Sequence, residues 1–179
     1  MLSCVGFHGT ASSNVDSIIK NGYYPSDRRG AWFGKGIYFF GDLPPMTNGV
    51  LEARSWVINV TKAGSWAIFR ALIESDKYVD LLENVDHKQL YDEIKRELVN
   101  IHLAAGKREE DFKERLVFTV LQQRNKIDVV RAPVDAARQS KFASYVVRRF
   151  QVQICAISAT CVKANELIEE GPGHVSIRN

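Results

Sequence analysis

Two short segments of the chain carry residues whose types and spacing are suited to binding a nucleotide. In the first, His8 stands at the end of an apolar strand and is followed by Gly9 and Thr10. The second, residues 33–39, enters an aromatic strand through two glycines and contains Tyr38. Each has an ordinary interpretation when taken singly: a hydrogen-bonded structural histidine, a turn, and a core strand. Their order along the chain, with a helix and an Asn-Gly turn between them, favours a shared site.

A third segment places two amide side chains in an apolar strand near residue 150. Gln151 and Gln153 are two positions apart, so they lie on the same face of an extended strand. A polar pair in such a strand is suited to a cleft, and the alternative is an edge strand whose polar residues face water.

The first two segments resemble the signature of ADP-ribosyltransferases of the diphtheria-toxin and poly(ADP-ribose) polymerase type. In that family a His-Gly-Thr or His-Gly-Ser strand end is followed by a helix, a turn and a Phe-Gly-x-Gly-Ile-Tyr-Phe strand. This chain has the same parts in the same order, namely His8-Gly9-Thr10, residues 14–22, and Phe33-Gly34-Lys35-Gly36-Ile37-Tyr38-Phe39. The resemblance is strong over residues 5–40 and holds elsewhere only in outline.

The resemblance implies that NAD⁺ is the substrate and assigns roles to individual residues. It implies that His8 hydrogen-bonds a ribose hydroxyl, that the Gly9 backbone pairs with the nicotinamide carboxamide, and that Tyr38 stacks on the nicotinamide ring. The reaction implied is attack at the nicotinamide ribose carbon through an oxocarbenium-like state. The other residues expected near the cofactor are Thr10, Tyr24, Arg29, Phe33, Gly34, Phe39 and Gln151.

The third catalytic residue of that family is usually a glutamate, and here Gln153 fits its position best. A glutamine can hydrogen-bond a ribose hydroxyl but cannot act as a base or carry charge. Gln153 could suffice for an activated nucleophile, the chain could bind NAD⁺ without transfer, or a carboxylate from elsewhere could serve. The candidates for that carboxylate are Glu74, Glu83 and Asp128. Because loss of this glutamate goes with loss of chain elongation, we expect transfer of single ADP-ribose units.

A second departure concerns the other aromatic residue that relatives place against the nicotinamide. Relatives carry a tyrosine on the next helix, eleven positions after the strand tyrosine, where this chain has Gly49. The possible substitutes are Trp56, Phe39 and Tyr24.

Among cations, Arg28 and Arg29 could reach the pyrophosphate, and Arg148 and Arg149 could meet an acceptor phosphate; all four could equally be solvated surface charges.

The elements that must position these residues can be predicted from hydrophobic periodicity. Strands are expected at residues 2–8, 65–74, 127–131 and 151–157, and residues 77–81 could extend the strand at 65–74. Within residues 32–40 the aromatic and β-branched part is expected to be a strand whose entry is bent by the two glycines. Helices are expected at residues 14–21, capped by Ser13 with Ile18 and Ile19 inward, and at 50–62. Residues 86–124 form a charged helical insert that Gly106 divides, and residues 171–179 are expected to be loosely ordered. The pattern indicates a single α+β domain over residues 1–179, with a split, mostly antiparallel ADP-ribosyltransferase-like sheet and flanking helices.

Composition argues against a membrane-spanning, secreted or metal-binding protein. The chain has 179 residues, a net charge of +3 and 45% hydrophobic residues, as expected for a globular protein. It has no apolar run long enough to span a bilayer and no signal peptide. Three cysteines without a Cys-x-x-Cys pattern indicate reduced thiols in the cytoplasm, and the four scattered histidines indicate no metal site.

These observations predict a mono-ADP-ribosyltransferase of toxin, effector or phage-defence type. Its acceptor is expected to be a protein or a nucleic acid. The small positive charge weakly favours RNA or DNA. An antitoxin or immunity protein is a possible partner, and no membrane contact is expected. The alternatives are a catalytically silent NAD- or ADP-ribose-binding module, and an NAD-dependent RNA 2′-phosphotransferase, whose characteristic arginines are not matched here. A transferase that acts on a small molecule is a further alternative.

Overall fold

The computed structural model describes residues 1–27, 31–135 and 150–172, which form a mixed α+β fold. A seven-stranded sheet has the order β4-β5-β6-β2-β1-β3-β7. Its strands are β1 (Leu2–Ala11), β2 (Ile37–Gly41), β3 (Ser65–Ser75), β4 (Tyr78–Asp80), β5 (Val129–Asp135), β6 (Phe150–Ala156) and β7 (Val162–Pro172). All neighbours in this sheet are antiparallel except β4 and β5. The predicted α+β class with a mostly antiparallel sheet is therefore confirmed.

The sheet opens at its centre, between β1 and β2. The ladder that joins these strands has a single partner pair, Phe7 with Phe40. By contrast, β1 pairs with β3 along its whole length, from Leu2 to Ala11. The two strands therefore separate beyond Phe7, and the backbone of residues 8–11 lies at the edge of an opening.

Four α-helices flank the sheet in the described residues. They are α1 (Val15–Asn21), α2 (Gly49–Trp56), α3 (Val85–Ala104) and α4 (Arg115–Asn125). A π-helical turn, Val57–Thr61, extends α2. One sheet face packs against α2, α3 and α4, and the other packs against Ile18 and Tyr23, at and just after α1. None of the helices in the described ranges is long and apolar enough to cross a membrane.

Several predicted elements are confirmed, because their sequence periodicity is strong. The helix before Gly22, the helix after Gly49 and the strand from Ser65 lie where they were expected. The charged insert forms α3 and α4, and Gly106 lies between them with a φ of 73°. Gly22 ends α1 with a φ of 74°, a conformation that favours glycine.

Other expectations about the elements were wrong. β1 continues through Gly9 and Thr10, Ser13 lies in a 3₁₀ turn (Ser12–Asn14) and does not cap α1, and Ile19 is exposed. Trp32 and Phe33 lie in a turn and not in the strand; Gly36 forms an isolated bridge with Ser26, and β2 begins at Ile37, after the two glycines that were expected to bend its entry. β4 does not extend β3 but pairs with β5 at the far edge of the sheet.

The last described strand, β7, was not predicted. It includes Gly171 and Pro172, which were expected to be loosely ordered, while residues 173–179 lie outside the described ranges. The strand is mostly exposed and polar, so it lacks the hydrophobic alternation on which strand prediction depends.

Candidate functional site

A cavity of about 560 Å³ lies where β1 and β2 separate. The three predicted catalytic residues, His8, Tyr38 and Gln153, all line it. Register places Phe7, Phe40 and Gln153 on one face of the sheet, so Tyr38 lies on that face and His8 on the opposite one. The cavity therefore passes through the opening and brings residues from both faces together. Four further predicted residues line it as well: Gly9, Thr10, Tyr24 and Phe39.

His8 bridges the gap between the two strands with its side chain. Its Nδ1 lies 2.9 Å from the Tyr38 carbonyl oxygen, and because a carbonyl only accepts, Nδ1 carries the proton and donates. Burial lowers the pKa of His8 below 6.5, although the bond to Tyr38 opposes this shift. The imidazole is therefore neutral at pH 7. Its Nε2 has no hydrogen-bond partner among the described residues and is an acceptor in the cavity wall.

The hydroxyl of Tyr38 binds to the protein backbone, whereas its aromatic ring faces the cavity. Its hydroxyl donates to the Gly34 carbonyl at 2.7 Å and accepts from the Phe33 amide at 3.1 Å. Burial is the largest of the effects that raise the pKa of Tyr38, which keeps the phenol protonated. Phe33 and Gly34 do not line the cavity but fix the orientation of this ring, and Phe33 stacks parallel to it at 6.1 Å. The aromatic ring, and not the hydroxyl, is the part of Tyr38 that can contact a ligand.

Gln153 is a buried amide that has no hydrogen-bond partner in the described part of the chain. It is 5% exposed, lines the cavity, and forms no hydrogen bond with the residues that the structure describes. Gln151 lies on the same face of β6 but does not line the cavity. Its Nε2 donates to the Glu52 carboxylate, and its Oε1 is buried with no hydrogen-bond partner among residues 1–27, 31–135 and 150–172. The prediction that the two glutamines share a face is consistent with this register, but their environments differ.

Gly49 occupies the position at which relatives carry a second stacking aromatic, and Trp56 on the same helix is one of the candidate substitutes. A Cβ at Gly49 would lie 2.5 Å from the Phe7 ring, so no larger side chain fits there. Trp56, at the end of the same helix, lines the cavity and contacts Phe40 with a centroid distance of 6.2 Å. Of the other two substitutes, Tyr24 is 71% exposed at the cavity and Phe39 is fully buried in the core. Trp56 is thus the best placed to stack on a ligand near Gln153.

Gly9 has a structural role beside the one expected of it. A Cβ at this position would lie 2.4 Å from the Ala53 carbonyl oxygen. The absence of a side chain therefore lets α2 pack directly on β1, which also brings Trp56 to the cavity.

Two residues of interest were missed by sequence reasoning. Tyr23 is 6% exposed and lines the cavity, and its hydroxyl is buried without a hydrogen-bond partner. Its ring contacts His8 edge-on, with centroids 5.1 Å apart. Its only sequence signal is its place beside Tyr24 after the Asn-Gly turn. Glu52 has no such signal, because a glutamate in an amphipathic helix usually faces water.

The carboxylates considered as replacements for the missing glutamate do not line the cavity. Glu74 accepts a hydrogen bond from Ser3, Glu83 pairs with Arg131, and Asp128 lies just before β5. None of the described lining residues is a lysine, arginine, aspartate or glutamate. Arg28, Arg29, Arg148 and Arg149 lie outside the described residues. The described wall can therefore bind a ligand by stacking and by neutral hydrogen bonds.

The described residues contain no group of three or more histidine, cysteine or acidic side chains that could hold a metal ion. Comparison with protein-family models found no matching family, and comparison with curated proteins found no match. The resemblance to ADP-ribosyltransferases therefore rests on the sequence motifs alone.

Proposed function

We propose that this protein is a mono-ADP-ribosyltransferase that binds NAD⁺ in the cavity between β1 and β2. The observation that carries the proposal is that His8, Tyr38 and Gln153, which are far apart in sequence, line one cavity together with Trp56. A sheet that opens between two central strands also supports an ADP-ribosyltransferase-like split sheet.

The chemistry of the lining is suited to the nicotinamide riboside half of NAD⁺. The rings of Tyr38 and Trp56 offer faces for stacking on the flat nicotinamide. The neutral Nε2 of His8 is an acceptor for a ribose hydroxyl, and the Gln153 amide can donate to and accept from such hydroxyls. These contacts orient the ribose so that the bond between its C1′ and the nicotinamide nitrogen can break as a nucleophile adds to C1′.

The chemistry of the Gln153 amide restricts which reaction can be proposed. Its dipole can orient a ribose hydroxyl, but it cannot remove a proton from one, so the proposal is transfer of single units to an acceptor macromolecule. A role as a toxin, effector or defence protein that acts in the cytoplasm belongs to this proposal. The three cysteines are unpaired thiols, which agrees with a reducing compartment.

The test uses labelled NAD⁺ with cell extract, RNA and single-stranded DNA. We expect label on a macromolecule, and we expect His8→Ala to reduce it by about a hundredfold. His102→Ala is the matched control, because His102 lies on α3 and does not line the cavity; its Nε2 contacts the Arg108 carbonyl and its ring contacts Phe112. Equal labelling by wild type and His8→Ala would contradict the assigned site.

A silent NAD-binding module is the second candidate, and Gln153 is the observation that favours it. Without a carboxylate in the described cavity wall, binding can occur without cleavage of the nicotinamide bond. NAD⁺ binding by calorimetry without nicotinamide release under any condition would establish this candidate. Gln153→Glu then becomes informative, because a carboxylate beside the developing positive charge should raise nicotinamide release by about tenfold or more.

A further inference from the structure

One face of α4, in the charged insert, packs against the turn that precedes β2. Arg115, Phe118 and Gln122 follow one another at intervals of three and four positions, so their side chains share a face of the helix. The turn contains Phe33 and Gly34, and a Cβ on Gly34 would lie 3.9 Å from the Arg115 Nε and 4.0 Å from the Gln122 Nε2. α4 contributes no residue to the described cavity wall, so it can act on the cavity only through this turn.

Phe33 connects α4 to Tyr38 through its carbonyl, its amide and its ring. Its carbonyl oxygen accepts a hydrogen bond of 2.7 Å from the Gln122 Nε2, and its amide donates to the Tyr38 hydroxyl at 3.1 Å. Its ring meets Phe118 edge-on, with centroids 4.7 Å apart, and lies within 7° of parallel to the Tyr38 ring. Phe33 is 1% exposed, and a close-packed interior transmits a displacement to its neighbours. The orientation of the Tyr38 ring therefore depends on where α4 holds Phe33.

The two polar contacts from α4 to this loop differ in their expected strength. Arg115 donates to the Asp27 carboxylate at 2.7 Å, but the two side chains are 40% and 60% exposed, and an ion pair in water contributes little. Gln122 donates to the carbonyl of a fully buried residue. Removal of that donor leaves a buried acceptor unsatisfied, which costs more than the loss of a surface pair. Gln122 is therefore the polar contact by which α4 chiefly fixes the turn.

We propose that Gln122 is a positioning residue for nicotinamide, which acts by holding Phe33 and, through it, the ring of Tyr38. The inference rests on the proposed function, because that function assigns the Tyr38 ring to stacking on nicotinamide. It gives the charged insert a part in ligand recognition in addition to its packing on the sheet. The effect should be confined to the nicotinamide half of NAD⁺, so ADP-ribose, which lacks nicotinamide, is the reference ligand.

The experiment measures the affinities of the full chain for NAD⁺ and for ADP-ribose by calorimetry. Gln122→Met keeps most of the length of the side chain but cannot donate. It should weaken NAD⁺ binding by about three- to tenfold and leave ADP-ribose affinity within about twofold of wild type. Gln122→Lys retains an N–H donor and should recover most of the NAD⁺ affinity. Gln123→Met is the matched control, because Gln123 is the next residue of α4 and is exposed; it should bind both ligands like wild type.

Unchanged NAD⁺ affinity in folded Gln122→Met would overturn the inference. Equal losses of affinity for NAD⁺ and ADP-ribose would also overturn it, because they would show a general structural effect. Should Gln122→Met not fold, Gln122→Asn decides by the same two affinities, since its amide is one methylene too short to keep the bond to Phe33. Selective loss of NAD⁺ affinity supports the inference, and an equal loss or none overturns it. A wild type that binds NAD⁺ keeps the proposed site in either case, whereas one that does not bind NAD⁺ refutes the proposed function and the inference with it.

Discussion

At the residue scale, a single tautomer of His8 lets one ring nitrogen donate a hydrogen bond to the protein and leaves the other as an acceptor for a ligand. Nδ1 donates to the Tyr38 carbonyl and links β1 to β2 where their ladder has ended, while Nε2 is left as an acceptor toward the cavity. Both roles need a neutral ring that is protonated on Nδ1. A lowered pKa therefore serves the structure and the proposed binding of ribose at the same time.

This arrangement predicts a pH dependence of stability that belongs to His8. Its pKa is lowered in the folded protein from 6.5, so between the two values the unfolded chain binds more protons. The free energy of unfolding should fall as the pH drops below 6.5 and should show no contribution from His8 above it. Urea unfolding of wild type and His8→Ala between pH 5 and pH 8 measures this difference.

The variant should lose part of the slope below pH 6.5, where the slope of a single group is at most about 1.4 kcal/mol per pH unit. The same slope in wild type and His8→Ala would show that His8 titrates alike in both states and would contradict its assigned burial effect. NAD⁺ affinity should weaken at a lower pH, below the lowered folded-state pKa of His8, because a protonated Nε2 can no longer accept.

At the element scale, the cavity depends on how closely α2 approaches β1. Gly9 lies under Ala53, and Gly49 lies against the Phe7 ring, so two glycines let the helix sit low on the sheet. This position brings Trp56 to the cavity and Glu52 to Gln151. The resemblance implies that Gly9 allows its backbone to approach nicotinamide. The packing indicates a second role, because the missing side chain also allows α2 to approach β1.

Gly9→Ala tests this packing directly. The new Cβ would meet the Ala53 backbone oxygen at 2.4 Å, and a backbone atom cannot rotate away as a side chain can. We expect a loss of about 1–3 kcal/mol in the free energy of unfolding, together with weaker NAD⁺ binding as α2 shifts. Gly64→Ala is the control, because a Cβ there meets nothing within 4 Å. It should change stability by less than about 0.5 kcal/mol, and equal stability of both variants would contradict the packing argument.

The elements also show which parts of the fold could be predicted from the sequence. α3 and α4 were predictable because apolar residues recur every three or four positions, and Gly106 marks the break between them. The pairing of β4 with β5 was not, because it joins residues about fifty positions apart and leaves no local signal. The residues of the candidate site also differ in whether the sequence could predict them. His8 and Tyr38 carry a local motif, but the partners of Tyr23 and Glu52 are set only by tertiary packing.

At the scale of the whole molecule, the opening of the sheet separates two groups of strands. β3 and β7 are attached to β1, whereas β4, β5 and β6 are attached to β2. Within the described residues, the backbones of β1 and β2 are linked by one ladder pair and by the hydrogen bond from His8 to the Tyr38 carbonyl, and the ring of His8 also contacts Phe39. A ligand in the cavity would contact both groups, so its binding should stabilise the sheet as a unit.

NAD⁺ should therefore raise the melting temperature and protect both edges of the opening. At a hundredfold excess over Kd, binding adds about 2.7 kcal/mol, which for a domain of this size corresponds to about 5–10 °C. Hydrogen exchange should slow at residues 8–11 and 37–40 together, since both segments line the cavity. Nicotinamide alone should give a smaller shift, and Trp56→Ala should reduce the shift with NAD⁺ by removing a stacking surface. Protection confined to one edge would place the ligand outside the opening, and an unchanged melting temperature at millimolar NAD⁺ would exclude this cavity as its site.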